Sequence, residues 1–282
     1  TRCRLDLSLR SLGCGVGGGC GGGLCGLRRI LIDATRGQQR AAEPDDQAGA
    51  DPGRHDAGAA VAATSGMVRY AGTAAAEVVS HWPEVIATSS HATAGRVQAW
   101  VIGPGLGTDE SAAAALVFAL ETDLPVIVDA DALTILSAHP ELVAGRQAPT
   151  VLTPHAGEFT RLAGTAPGDD RIADTRRLAD QLGVTVLLKG NVTVVAEPGA
   201  GPVHLNVAAN SWAATAGSGD VLSGVIGALL AAGLTPGEAA AAAAYVHARA
   251  ADLSAADPGP APAPTSASRI LAHLRTALAS IL

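Results

Sequence analysis

The stretch ATAGSGDVLSGVIGALL, residues 214–230, organises the rest of this chain. Gly217 and Gly219 permit a tight turn because they lack a Cβ, and the apolar run after them is typical of a buried helix. The first N–H groups of such a helix have no partner within it, and they attract anions. Asp220 lies in this first turn, where a carboxylate can take a proton from a hydroxyl that attacks a phosphate. The structural alternative is an acidic residue that the helix dipole favours.

The composition indicates an acidic α/β protein. The chain has 282 residues and a formal net charge of −7, and its apolar residues are mostly Ala, Val and Leu. This charge argues against nucleic acid or an anionic membrane surface as the main partner. No apolar run approaches the roughly 18 residues of a membrane span, and no signal-peptide pattern occurs near the start. We therefore predict a cytoplasmic protein that does not enter a membrane.

Residues 1–56 differ from everything that follows. They combine a glycine-rich run with scattered arginines and a polar stretch, and they show no sustained helical or strand period. All four cysteines lie in the first 25 residues without a Cys-x-x-Cys spacing, so a zinc or disulfide framework is only weakly indicated. We predict that this segment is disordered or comes from a shifted reading frame, and that the first strand region is missing or aberrant. The folded domain would then span residues 57–282.

From residue 57 onward, strands alternate with helices, and glycine or polar residues follow several of the strands. These loops are 103–107 (GPGLG), 129–133 (DADAL), 153–158 (TPHAGE) and 188–193 (LKGNVT). The alternation predicts a doubly wound, mostly parallel sheet flanked by helices, with a cleft at the carboxyl ends of its strands. The loop at 103–107 lacks the spacing of a dinucleotide fingerprint, so a Rossmann interpretation is not favoured.

Several polar residues in these loops have both a functional and a structural interpretation. Asp129 and Asp131 could hold a cation or a hydroxyl, or Asp131 could cap a helix. His155 follows a strand, where ligands bind in such sheets, although a lone loop histidine is often structural. Lys189 could reach a nucleotide phosphate or be a solvated lysine. We interpret His247 as a packed or partly exposed helix residue and leave it out of the site.

Taken in order, the four loops and residues 216–222 (AGSGDVL) resemble the ADP-dependent NAD(P)H-hydrate dehydratases of the ribokinase-like superfamily. Each motif alone is weak, but five in order over residues 57–282 make the resemblance specific. It implies a repair reaction. ADP phosphorylates the ring hydroxyl of the S epimer of hydrated NADH or NADPH, phosphate then leaves, and AMP is the other product.

The resemblance also implies roles for individual residues at the predicted helix start. Asp220 would be the base that acts on the ring hydroxyl. The backbone amides of Gly217, Ser218 and Gly219 would form the anion hole for the transferred phosphoryl group.

The remaining implied roles concern the two ligands and a metal ion. The nucleotide-binding residues would be Lys189, Gly190, Asn191, Val192, Thr193 and Gly219. The hydrated cofactor would contact Gly105, Gly107, His155 and Asp220. Glu158 would help to hold Mg²⁺. By the same resemblance, the chain would form a homotetramer and would work with an epimerase domain or protein.

The chain departs from the family near its start. Relatives have a His-Lys-Gly motif before the first strand and a Gly-Ser-x-x-Tyr-x-Gly-Ala loop after it, and neither is present here. Two alternatives therefore stay open. One is a ribokinase-like kinase of a small alcohol, such as a thiazole or pyrimidine precursor, and the other is a non-catalytic nucleotide-binding remnant.

Overall fold

The computed structural model describes residues 29–34, 52–63, 66–208 and 210–281. In these residues the strands are β1 Arg29–Ala34, β2 Met67–Gly72, β3 Ile86–Thr88, β4 Ala99–Ile102, β5 Val126–Val128, β6 Thr150–Leu152, β7 Thr185–Leu188, β8 Val192–Ala196 and β9 Val203–Val207. They form one sheet in the order β3-β2-β1-β4-β5-β6-β7-β8-β9. The pairings from β3 to β7 are parallel, whereas β8 and β9 are antiparallel to their neighbours.

Helices cover both faces of this sheet. They are α1 Pro52–Ala63, α2 Ala75–His81, α3 Glu110–Glu121, α4 Ala130–Ala138, α5 Ala156–Ala163, α6 Arg171–Leu182, α7 Ser218–Ala232, α8 Pro236–Ala256 and α9 Ala267–Ala279. One core joins α1, α7, α8 and α9 to one face, and a second core joins α3, α4, α5 and α6 to the other. The ribokinase-like, doubly wound architecture predicted from the sequence is confirmed.

The central strands are buried on both faces because successive side chains point in opposite directions. Val101 and Ile127 contribute to the core beneath α7, whereas Ile102 and Val128 contribute to the core beneath α3 and α4. Because β4, β5, β6 and β7 pair in parallel, their carboxyl ends lie at the same edge of the sheet. The loops that follow these four strands meet there.

Helix α7 is the most deeply enclosed helix in the core on its face. Its apolar residues are nearly all buried, and at Gly224 the backbone approaches α1 closely. A Cβ at Gly224 would lie 2.3 Å from the carbonyl oxygen of Asp56, so only glycine fits at this contact. The buried helix predicted after Gly219 is therefore present. The close contact between Gly224 and α1 holds this helix in position.

The prediction that the first strand region is missing is wrong for Arg29–Ala34. These residues form β1, which lies between β2 and β4 and pairs in parallel with both. Helix α1 begins at Pro52 and crosses the predicted boundary at residue 57. The glycine-rich run, all four cysteines and the possible frame shift concern residues outside the described part of the chain, so those predictions stay untested. Within the described part, no helix combines the length and the apolar character needed to cross a bilayer.

Candidate functional site

The start of α7 lies against the end of β7 at the carboxyl edge of the sheet. A Cβ built on Gly219 would lie 3.4 Å from Lys189 Nζ and 3.8 Å from Asp129 Oδ2. The structure thus brings together residues from three of the predicted loops. These are ordinary van der Waals distances, so they place the backbone of residue 219 directly beside the lysine without requiring a glycine there.

The first turn of α7 begins at a glycine, and the amide of Ser218 donates to the carbonyl oxygen of Thr215 at 3.2 Å. Gly217 is its N-cap residue with φ 77°, a left-handed conformation that glycine adopts without strain, and no side chain caps the helix. Ser218 Oγ donates instead to the carbonyl oxygen of Ala213, which ties the preceding turn to the helix. Asp220 lies in this first turn, at the positive end of the helix dipole.

Lys189 lies among three carboxylates. Its Nζ donates to Asp129 Oδ1 at 2.8 Å and lies 3.7 Å from Glu158 Oε2. Burial alone would lower the pKa of Lys189, but the negative charges of Asp129, Glu158 and Asp220 raise it above its ordinary value. The ammonium group therefore stays charged at neutral pH, and Asp220 is close enough to interact with it. The alternative of a freely solvated lysine is excluded, since the side chain is only 21% exposed.

Asp129 is the buried counterpart of this lysine. It is 1% exposed, and its Oδ2 accepts a hydrogen bond from Ser223 Oγ at 2.7 Å. Burial would raise the pKa of Asp129, but the charge of Lys189 and hydrogen bonds from Lys189, Ser223 and Thr153 hold it below its ordinary value. Asp129 also caps α4 by accepting from the amide of Ala130 at 2.9 Å. No local pattern predicted the contact between Ser223 and Asp129, because a strand-end motif does not reveal a partner on a helix 94 residues away.

His155 and Glu158 form a reciprocal cap at the start of α5. His155 Nδ1 accepts from the amides of Gly157 and Glu158, and Glu158 Oε2 accepts from the amide of His155 at 2.7 Å. Burial, followed by the nearby charge of Asp129, raises the pKa of Glu158, although Lys189 opposes this shift. The cap holds Glu158 next to Lys189 while 56% of the His155 side chain stays exposed to a ligand.

The glycine loop after β4 approaches the same edge. Gly105 and Gly107 have φ values of 66° and 78°, and the amide of Gly107 donates to Asp131 Oδ2 at 2.8 Å. Asp131 therefore holds this loop, and the interpretation of Asp131 as a helix cap is wrong because Asp129 caps α4. A Cβ at position 103 would lie 1.8 Å from the carbonyl oxygen of Asp129, so only glycine fits at this position.

The predicted nucleotide loop connects β7 to β8. Its backbone is held from outside the loop by α6, because Arg171 Nη2 donates to the Lys189 carbonyl at 3.1 Å, and by Ala208, whose amide donates to Asn191 at 2.9 Å. Thr193 Oγ1 donates to the carbonyl oxygen of Gly190 at 3.2 Å. A cleft of about 350 Å³ is lined mainly by residues of β9 and α8 and by none of the loop residues 189–193; its lining includes Asn206, Val207, Ala208, Tyr245, Ala248, Arg249 and Asp252.

His247 is buried next to the first turn of α7. This residue was not assigned to the site from the sequence. It is 8% exposed, and it interacts with the backbone of Ser218 and with the charge of Lys189. Burial lowers the pKa of His247 to about 4, so its imidazole is neutral at physiological pH. The interpretation as a packed helix residue is correct as to burial, but it missed the contact with Ser218, which only the packing of α8 on α7 produces.

The described residues contain no cluster of three or more His, Cys, Asp or Glu side chains suited to a metal ion. Glu158 offers one carboxylate at the cleft, and Lys189 occupies the space between it and Asp129. Mg²⁺ is commonly bound through one or two carboxylates together with substrate phosphates and water. The residues therefore fit a magnesium ion that arrives with a nucleotide, rather than a preformed protein cage.

Comparisons with known proteins agree with this geometry. The model of a family described as NAD(P)H-hydrate dehydratase matches residues 48–273. The chain is 76% identical over 224 residues to the bifunctional NAD(P)H-hydrate repair enzyme Nnr of Mycobacterium tuberculosis, over 79% of this chain and 47% of that protein. It is 41% identical over 185 residues to an ADP-dependent (S)-NAD(P)H-hydrate dehydratase of Neisseria meningitidis, covering 62% of each.

The solved structures include a similar protein from Bacillus subtilis. It is the ADP/ATP-dependent NAD(P)H-hydrate dehydratase co-crystallized with ATP/Mg²⁺ and soaked with CoA, with a TM-score of 0.74 and 26% identity over 90% of this chain and 92% of that chain. The present chain spans about half the length of the bifunctional relatives that it matches.

Proposed function

This chain belongs to the NAD(P)H-hydrate dehydratase family, and from that premise we propose that it dehydrates the S epimer of hydrated NADH and NADPH at the expense of ADP. The hydroxyl oxygen of the hydrated ring attacks the β-phosphorus of ADP, and AMP leaves. Phosphate is then eliminated together with a proton from the neighbouring ring carbon, which restores the double bond. The products are the reduced cofactor, AMP and phosphate.

The observation that carries this proposal is the arrangement of Asp220, Lys189 and Gly219 at the start of α7. Asp220 takes the proton of the ring hydroxyl as that oxygen attacks phosphorus. The amides of Gly217 and Gly219 stabilise the negative charge that develops on the transferred phosphoryl group, whereas the predicted third donor, the amide of Ser218, already donates to the carbonyl oxygen of Thr215. Positioning and charge stabilisation are what phosphoryl transfer requires of a protein.

The nucleotide lies along the loop from Lys189 to Thr193. Lys189 keeps its charge among the carboxylates, and its remaining N–H donors serve a phosphate oxygen. The backbone of Gly190, Asn191 and Val192 faces the nucleotide. This arrangement accounts for an acidic protein that binds an anion, since local donors rather than a basic surface hold the phosphates.

The hydrated cofactor lies on the opposite side of Asp220. Gly105 and Gly107 let the backbone of their loop approach the ligand closely, and the exposed ring of His155 contacts the hydrated nicotinamide. Water is excluded from this region once both ligands fill the cleft. Asp220 lies between the two ligands, as a base for this reaction must.

Mg²⁺ enters the site with the nucleotide. Glu158 would hold it, directly or through water, and the ion would neutralise charge on the phosphates. Support comes from the Glu158 carboxylate beside Lys189 and from the ATP/Mg²⁺ complex of the Bacillus subtilis protein.

Two further properties concern the protein's surroundings. The bifunctional relatives suggest that an epimerase activity, on the same chain or on a partner, converts the other epimer into the substrate. We expect a cytoplasmic homotetramer, supported by the exposed apolar side chains of Leu205, Val207 and Tyr245, which are 50%, 69% and 44% exposed.

The test is recovery of the absorbance of reduced nicotinamide. Hydrated NADH is incubated with the protein, ADP and Mg²⁺, and we expect the dihydronicotinamide band to return only when ADP is present. Asp220→Asn should abolish turnover while ADP affinity changes little, because the amides and Lys189 are kept. Glu77→Gln, which changes an exposed first-turn carboxylate on α2, is the matched control and should leave the rate unchanged.

The other outcomes are distinct from this one. Retained turnover in Asp220→Asn would remove Asp220 from the role of base. Consumption of ATP with a thiazole or pyrimidine alcohol, without recovery of NADH, would favour the small-alcohol kinase. ADP binding without either reaction would favour the non-catalytic remnant.

A further inference from the structure

One buried carboxylate joins three elements of the site. Asp129 Oδ1 accepts from Lys189 Nζ at 2.8 Å and from the amide of Ala130 at 2.9 Å, at the end of β7 and the start of α4. Its Oδ2 accepts from Ser223 Oγ on α7 at 2.7 Å. Because Asp129 is 1% exposed, its carboxylate exchanges none of these partners freely with water.

Ser223 connects Asp129 to α7, whose first turn contains Gly219 and Asp220. It follows Gly219 by four residues, so the two lie one helical turn apart on the same face of α7. The same face meets Lys189 and Asp129, since a Cβ at Gly219 would approach both. A displacement of Ser223 relative to Asp129 therefore moves the Gly219 amide and Asp220 relative to Lys189.

The backbone around Asp129 is fixed more tightly than the strand end alone requires. Ala130 has φ 48°, a left-handed conformation that is unfavourable for a non-glycine residue. Such a conformation persists where the surroundings dictate it. Here the Asp129 side chain bonds the Ala130 amide, and Gly103 packs against the Asp129 carbonyl too closely for any Cβ. Asp129 is thus a fixed point against which α7 is held.

We propose that Asp129 is a positioning residue that, through Ser223, aligns the first turn of α7 with Lys189 for phosphoryl transfer. It does not contact either ligand; it acts by holding Gly219 and Asp220 in register with the ammonium group. The proposal rests on the proposed function for the reaction that it serves. Its structural part, the hold on the α7 turn, is measurable without any turnover.

The test uses Ser223→Ala and Asp129→Asn in the full chain, with Ser254→Ala as the matched control. Ser254 is also a buried serine, on α8, and its hydroxyl meets Thr265 away from the site. We expect kcat to fall about 10- to 100-fold in Ser223→Ala and Asp129→Asn, because small misplacements of catalytic groups have effects of that size. The KM for ADP in Ser223→Ala should stay within about threefold, since the Lys189 pair is intact.

Ser223→Ala keeps the ion pair and protects the test if Asp129→Asn fails to fold, as removal of one member of a buried pair can cause. Ser254→Ala should lose a comparable amount of stability and keep its kcat. An unchanged kcat in Ser223→Ala, or a loss that lies only in the KM for ADP, would overturn the proposal.

Hydrogen exchange of the peptide 214–222 provides the second readout. We expect faster exchange there in Ser223→Ala than in the parent or in Ser254→Ala. If the parent itself fails to dehydrate the hydrate but this difference appears, the proposed function fails while the hold of Asp129 on α7 stands. Equal exchange in all three proteins would overturn the proposal whether or not the parent is active.

Discussion

Acid should destabilise this protein through His247. The side chain is buried between α8 and the start of α7, and within the described residues its Nε2 has no hydrogen-bond partner. Burial is the main reason that its pKa falls from 6.5 to about 4. Between these two values the unfolded chain binds a proton that the folded protein does not bind. Stability is therefore complete above pH 6.5 and is lost as the pH falls toward 4.

The size of the effect follows from the shift. Linkage with these two pKa values predicts a loss of about 2 kcal/mol between pH 7 and pH 5, and of about 3 kcal/mol by pH 4. The variant His247→Gln keeps a polar, neutral side chain of similar length but cannot take up the proton. The parent should therefore lose about 2 kcal/mol more than the variant between pH 7 and pH 5.

The assay is urea unfolding at pH 7 and pH 5, followed by far-UV circular dichroism. His139→Gln removes an imidazole that is 58% exposed and serves as the control. Equal losses in the parent and in His247→Gln would refute the reasoning, because they would mean that His247 accepts its proton in the folded state as readily as in the unfolded chain.

Two other predictions concern the packing of α1 against α7 and the outer strand β9 of the sheet. Gly224→Ala should lower the free energy of unfolding by about 1–3 kcal/mol, because the new methyl group overlaps the Asp56 carbonyl; unchanged urea unfolding would contradict the close contact between α1 and α7. Val207→Lys, on the edge strand β9, should shift the protein toward smaller assemblies in light scattering at unchanged stability, because its side chain is 69% exposed. Ile172→Lys, on α6 at a side chain that is 42% exposed, is the control, and an identical mass for both variants would remove β9 from the interface.

The sequence by itself determined the sheet class and predicted the end of the sheet at which ligands bind. Apolar strands separated by helices, each followed by glycine or polar residues, specify a doubly wound sheet, because parallel strands place their carboxyl ends on one side. The sequence also predicted the turn before α7, because glycines that precede an apolar run are typical of a tight turn before a buried helix. Near the chain start this reasoning failed at Arg29–Ala34. Six residues in a composition without period give little local signal, and their pairing with β2 and β4 is a long-range event.

Only the tertiary structure decided how the charged residues are paired. Lys189 and Asp129 are 60 residues apart, and Ser223 lies 94 residues from Asp129. From the sequence, Asp129 was a candidate ligand of a cation or a hydroxyl, Lys189 was a candidate phosphate contact or a solvated lysine, and Ser223 was not singled out. A local pattern specifies which end of the sheet a side chain reaches but not which partner it meets there. His247 shows the same limit: its low pKa comes from α8 packing against α7, and desolvation depends on neighbours that no local motif encodes.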